Sequence, residues 1–150
     1  MKVVAVNKPA YFNYEILETI EAGIALLGSE VKSIREGRVS LKDSFADVKG
    51  SEILLFHLHI SPYEAANVFN HEPLRNRKLL LHRREIRRLT GKIKERGLTL
   101  IPTKILFNDK GLIKIELGLA KGKKLYEKRE AIREREQARE ARAALKHGRR

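Results

Sequence analysis

The stretch LTLIPTKILFNDKGLIKIELGL, residues 98–119, consists of two apolar, β-branched runs on either side of Asn108-Asp109-Lys110-Gly111. Val, Ile and Thr pack well on a pleated surface, and a four-residue connection ending in Gly accepts the positive φ that a tight hairpin needs. Leu98 to Phe107 and Leu112 to Leu119 are therefore two antiparallel strands. Pro102 has no amide hydrogen to give to the ladder, which places it at an edge or a bulge.

Immediately upstream, HRREIRRLTGKIKERG (82–97) sets Ile86, Leu89 and Ile93 on one helical face, clothes the rest in basic residues, and stops at Gly97. Phe45 to Val48 and Ile53 to Ile60 flank Lys49-Gly50-Ser51 and read as another hairpin. In its second arm Leu55, His57 and His59 alternate with Leu54, Phe56, Leu58 and Ile60, which predicts the latter set inside and the histidines outside. Tyr14 to Leu27 reads as a strand with one wet face, and Gly23 as a bulge or bend in it. Ser29 to Gly37 predicts a two-turn helix capped by Ser29, with Val31 and Ile34 inward and Lys32 and Arg35 sharing another face. Residues 61–77 are an irregular loop bounded by Pro62 and Pro73. Several short strands with two or three inserted helices predict a mainly β, oligonucleotide-binding-type barrel, with an α+β sandwich as the alternative.

Charge divides the chain differently. The 150 residues carry a net +13 with no Cys. Residues 71–96 hold ten Lys/Arg against three Glu, the last thirty hold twelve against five, and the remainder is close to neutral. Two basic blocks on a neutral body favour a phosphate-rich partner. The last block, KGKKLYEKREAIREREQAREARAALKHGRR, has too few apolar residues to offset the entropy of ordering itself. The expected organisation is a folded body, residues 1–121, and a basic tail, residues 122–150, that is disordered when free. Glu130 with Arg133 and Glu136 with Arg139 are i, i+3 pairs that support a helix in the tail only conditionally. No apolar run approaches the length of a membrane span or a signal peptide, and the lack of Cys suits a reducing compartment, so the expected location is cytoplasmic.

The sequence offers little chemistry beyond binding. His57-x-His59 has no third ligand at a sensible spacing, and no G-x-S-x-G is present. Gly118-x-x-x-Gly122-Lys123-Lys124 is one residue short of a phosphate loop and lacks its closing Ser/Thr. Asp43, Asp47 and Asp109 are spare acids that a metal-dependent nuclease would need, but the last is a turn residue. No catalytic residue, metal or cofactor is expected. The binding chemistry is clearer: Arg75, Arg77 and Lys78 offer phosphate forks and a point charge, and Arg83, Arg84, Arg87 and Arg88 extend them along a helix. Tyr11, Phe12, Tyr63 and Tyr126 are possible base-stacking rings. A structural ribosomal protein with a basic extension fits the same pattern.

Three longer motifs narrow this. Ala22-Gly23-Ile24-Ala25-Leu26-x-Gly28-Ser29-Glu30-Val31-Lys32-Ser33-Ile34-Arg35-x-Gly37, Asn70-His71-x-Pro73-x-Arg75-x-Arg77-Lys78-Leu79-Leu80-Leu81-His82, and Ala120-Lys121-Gly122-Lys123-Lys124-x-Tyr126-Glu127-Lys128-Arg129 closely resemble the SsrA-binding protein (small protein B) family, in order from about Asn7 onward. The resemblance implies a non-enzymatic adaptor, a monomer binding RNA one to one. It would bind the tRNA-like part of transfer-messenger RNA and bring it to bacterial ribosomes stalled without a stop codon, its tail folding into a helix in the empty message channel and decoding centre. By motif position it implies RNA contacts at Asn7, Glu21, Leu80 and His82, with Lys32, Arg35, Arg75, Arg77 and Lys78 as basic support. The ribosome-facing set is implied at Gly122, Lys123, Lys124, Tyr126, Glu127, Lys128 and Arg129. Many members of that family carry His and Asp where Tyr126 and Glu127 stand, so the ring and the carboxylate are kept while imidazole protonation is not.

Overall fold

A computed structural model describes residues 1–64, 70–122, 133 and 135–142. The chain runs β1 (Lys2–Val6), α1 (Lys8–Asn13), β2 (Tyr14–Ile24), α2 (Gly28–Arg35), β3 (Val39–Ser40), β4 (Phe45–Lys49), β5 (Glu52–Phe56), β6 (His59–Ile60), β7 (Arg77–Leu80), α3 (Arg83–Arg96), β8 (Thr99–Phe107) and β9 (Ile113–Gly122). Every strand pairing is antiparallel. The order β8-β4-β5-β7-β2-β9 returns to β8 through the β8–β9 hairpin, so six strands close into a barrel, and β1 joins the far half of β8. Closure leaves no open edge within the ring. The fold is mainly β, as the strand pattern predicts, and the sandwich alternative does not form.

The hairpin of residues 98–119 is the seam of the barrel. Phe107 pairs Ile113 across the turn, and Gly111 takes φ +78°. Leu100, Ile105, Ile115 and Leu117 are fully buried from it. The register slips between Pro102 and Lys104, so the proline marks a bulge and not an edge. The backbone freed there receives the N-terminal segment: Asn7 Nδ2 donates to the Pro102 carbonyl at 2.9 Å and Asn7 N to Thr103 O at 2.8 Å. The Asn7 Oδ1 caps α1 by accepting from Ala10 N at 3.3 Å. This capped short helix and β1 carry no strong periodic signal and are not anticipated from sequence.

Three sequence expectations require correction. The register of β2 runs evenly through Gly23, and the irregularity lies between Ile16 and Glu18. Gly23 is needed for space: a Cβ there would lie 3.1 Å from Leu80 Cβ on the neighbouring β7. Ser29 is not the cap of α2, which begins after Leu27. The orphan amide of Leu27 is met instead by Glu30 Oε1 at 2.8 Å. Finally, Leu55 is buried together with Ile53, Leu58 and Ile60, while Leu54 and Phe56 lie half-buried on the opposite face. His57 adopts φ +60°, which ends β5 and turns the chain, so the two-residue alternation changes phase there.

The helices close the ends of the barrel. Ile34 of α2 and Leu89 of α3 are fully buried, with Ile86 and Ile93 packed beside the same core. Fully burying a Leu contributes roughly 1.5–3 kcal/mol. Gly37 and Gly97 take φ +75° and +63° where these two helices stop, as expected of left-handed C-terminal residues. On its outer side α3 is tied to β2 by Glu18, which accepts from Arg88 Nη1 and Lys92 Nζ, each at 2.5 Å. The two cations hold that carboxyl below its ordinary value, Lys92 more strongly.

Candidate nucleic-acid interface

β7 lies between β5 and β2, and its four residues alternate strictly: Arg77 and Leu79 are buried, Lys78 and Leu80 exposed. Gly23 pairs with Leu80, and Glu21 stands two residues earlier on the same outward face of β2. α3 starts directly after His82, which caps it with extended backbone, and overhangs these strands. The result is an open groove of about 1380 Å³ that brings together Glu21, Lys78, Leu80 and His82. It contains Lys78, Arg83, Arg87, Lys94 and Lys114 against Glu21, Glu52 and Glu85.

This space is larger than the roughly 300–1,000 Å³ of a small-molecule pocket and is partly open to solvent. Leu80, half exposed, supplies an apolar surface among the cations. Lys94 and Lys114 join the groove only through tertiary structure. Lys114 lies in the apolar alternation of β9 and draws no notice in the sequence. Lys78 is partly occupied by Glu52 at 3.2 Å, in a pair exposed enough to open readily.

A second basic surface surrounds α2. Lys32 and Arg35 are exposed, and Lys32 Nζ sits 5.4 Å from the centre of the Tyr63 ring. The described ends of the 61–77 segment are tied together by side chains. Asn70 accepts from Tyr63 N at 3.1 Å and donates to Tyr63 O at 2.9 Å. His71 is buried, with Nε2 2.8 Å from the Ile60 carbonyl and Nδ1 2.8 Å from Ser29 Oγ. A carbonyl only accepts, so Nε2 carries the proton and the Ser29 hydroxyl donates to Nδ1. Ser29 therefore anchors His71.

Arg77 corrects the sequence reading most sharply. Its guanidinium is fully buried: Nε donates to Glu30, Nη1 to Leu58 O at 2.6 Å and Nη2 to Pro73 O at 3.2 Å. It offers no phosphate fork, because all three of its nitrogens face protein acceptors. Glu30 is itself buried and bridges to Arg75 Nη2 at 2.5 Å. Burial pushes the Glu30 carboxyl up, but the bonds from Arg75, Leu27 N–H and Arg77 outweigh it and hold it below its ordinary value. Burial likewise pulls Arg77 down from its usual range, opposed by Glu30. Glu30 is the principal residue that sequence reasoning missed. A Glu in a first helical turn ordinarily signals only the helix dipole.

The remaining expected site residues are scattered. Asn7 is buried at the bulge, remote in sequence and in contacts from the groove strands. Gly122 is exposed at the end of β9, paired with Tyr14. Lys123, Lys124, Tyr126, Glu127, Lys128 and Arg129 lie outside the described residues. Farther along, Arg133 and residues 135–142 are helical and exposed, and the Arg135 guanidinium lies 5.1 Å from the Phe12 ring.

The spare acids are dispersed. Asp109 takes the N-terminal ammonium at 2.8 Å, Asp47 accepts from Val48 N, and Asp43 occupies a turn at φ +64°. Among the described residues no three His, Asp or Glu side chains converge in a metal-holding group, and no helix is long and apolar enough to cross a membrane.

The similarities to known proteins run through almost the whole chain. Residues 4–147 match the family model described as SmpB protein. The SsrA-binding protein of Carboxydothermus hydrogenoformans is 59% identical over 145 residues, 97% of either chain. That of Pseudothermotoga lettingae is 59% identical over 148 residues, 99% of either. Among solved structures, a chain from the work described as "tmRNA-SmpB: a journey to the center of the bacterial ribosome" is 51% identical and superimposes with a TM-score of 0.70, covering 89% of this chain and 96% of that one. A family model spanning nearly every residue, relatives at this identity and a shared barrel lead to one assignment: the chain belongs to the SmpB family.

Proposed function

We propose that this protein binds transfer-messenger RNA and delivers it to stalled bacterial ribosomes for rescue by trans-translation. The observation that carries the reading is the groove, where Glu21, Lys78, Leu80 and His82, separated by up to sixty residues in sequence, meet beneath a helix lined with cations. A large, partly open groove with more cations than acids and the exposed Leu80 suits the tRNA-like part of that RNA, recognised by shape, phosphates and a few exposed bases. Lys32, Arg35 and Arg75 add a second set of cations beside it. The role is that of a non-enzymatic adaptor in the bacterial cytoplasm, one copy to one RNA.

The labour divides along the chain. Residues 1–121 grip the RNA, and residues 122–150 enter the empty message channel, with Gly122, Lys123, Lys124, Tyr126, Glu127, Lys128 and Arg129 toward the decoding centre. The tail becomes fully ordered there by contact with ribosomal RNA, since its i, i+3 pairs supply only about 0.2–0.5 kcal/mol each. Truncation after Gly122 tests this division. Affinity for transfer-messenger RNA should stay within about threefold of the full chain, and peptide tagging on stalled ribosomes should be lost. Equal loss of both activities would overturn it.

A further inference from the structure

Glu30, Arg75 and Arg77 form one charge cluster in which a single carboxylate bonds both guanidiniums, while Glu72 acts on Arg77 through space. Arg77 is sealed, and Arg75, whose side chain is 34% exposed, is the cation of the cluster that reaches solvent. The bonding of Arg75 is incomplete as well. Nη2 is clamped by Glu30 and reaches Ala25 O only at 3.4 Å, Nη1 reaches Asn76 O at 3.4 Å, and Nε has no acceptor among the described residues. Nε is buried away from solvent, so Nη1, exposed and held only by its long bond to Asn76 O, is the nitrogen placed to donate to a further anionic oxygen.

The clamp also spans two elements. Glu30 belongs to α2, whose exposed face carries Lys32 and Arg35. Arg77 belongs to β7, whose exposed face carries Lys78 and Leu80. Ala25 N donates to Lys78 O at 2.9 Å in the link between them. A single buried carboxylate thus fixes the two cationic surfaces relative to each other.

We infer that Glu30 is a positioning residue for RNA recognition: it orients Arg75 toward a backbone phosphate and locks the α2 surface to the groove strand. This rests on the RNA-binding reading above. The inference runs against simple electrostatics, because removing an acid from a cationic surface should strengthen polyanion binding.

The test measures transfer-messenger RNA binding by the full-length protein at several KCl concentrations, with folding checked by circular dichroism. Glu30→Gln raises the net charge by one, yet should weaken binding about 5- to 20-fold, and Arg75→Ala should weaken it by a similar factor. Each should lower the salt slope by about one. Adding Arg75→Ala to Glu30→Gln should cost less than about twofold more, since the Arg75 contact is already lost in the Glu30 variant.

Unchanged or tighter binding by folded Glu30→Gln, or losses that multiply in the double variant, would overturn the inference. If Glu30→Gln does not fold, Glu30→Asp decides. It keeps a carboxylate near Arg77 but shortens the reach to Arg75, and losses that multiply with Arg75→Ala would again refute positioning. Failure of the unaltered protein to bind this RNA would reject the functional reading itself and is a separate outcome.

Discussion

Replacing Arg77 with Met separates a buried strut from a surface phosphate ligand. The methionine fills the volume of the aliphatic stem, so little cavity forms. What disappears is charge pairing: Glu30, itself fully buried, would keep only Arg75 and the Leu27 amide, and the carbonyls of Leu58 and Pro73 would each lose a donor. Removing one partner of a buried pair costs about 3–5 kcal/mol, and the retained bond from Arg75 places this case near the lower end, about 3 kcal/mol. In a domain of this size each kcal/mol moves Tm by about 3–5 °C, so the variant should melt about 9–15 °C below the parent.

Urea titration should give the same loss in ΔG with an unchanged m. Arg75→Ala provides the contrast: its side chain is 34% exposed and Glu30 keeps Arg77, so about 1 kcal/mol or less is expected. Changing both buried members, Glu30→Met with Arg77→Met, should recover much of the stability by leaving no deeply buried charge. The reasoning is refuted if Arg77→Met melts within about 2 °C of the parent while losing RNA affinity as Arg75→Ala does. Arg77 would then be a surface ligand.

Two further outcomes come from the same packing. A Cβ at Gly118 would lie 3.1 Å from Ile16 Cγ2 and Thr103 Cγ2, both in the sheet, so Gly118→Ala should cost about 1–3 kcal/mol in urea denaturation. The carboxyls of Glu18 and Glu30 are held below their ordinary values in the folded protein. Their contribution is complete above the unfolded-state pKa of about 4.3 and is lost as pH falls through the lower folded values, so urea midpoints should fall below about pH 4.5. Glu18→Gln, at the surface, should make that acid limb shallower, and an unchanged limb would contradict the pairing with Arg88 and Lys92.

The barrel was legible in sequence wherever a local rule matched the tertiary outcome. The 98–119 hairpin, the stops at Gly37 and Gly97, the apolar stripe Ile86-Leu89-Ile93 and the irregularity at Pro102 are set by φ preference, periodicity and a missing amide hydrogen. These causes act within a few residues of the chain. Local rules failed where a distant element decided. Gly23 looks like a bulge until β7 is seen against it, Ser29 looks like a cap until His71 takes its hydroxyl, and one backbone residue at positive φ, His57, shifts the inside–outside alternation between β5 and Leu58.

The interface divides in the same way. Net charge and the placement of two basic blocks announce a polyanion, because charge acts through the whole composition whatever the fold. Which cations are available is a different matter. Arg75 and Arg77 are two residues apart, chemically identical and equally basic in sequence, yet one reaches solvent and the other lies sealed against Glu30, forty-seven residues away. Sequence by itself determined the longer strands and the two main helices, the sign of the partner's charge and the family. Only the closed barrel decided which side of β7 faces water, because burial is a property of the neighbours that long-range pairing brings together.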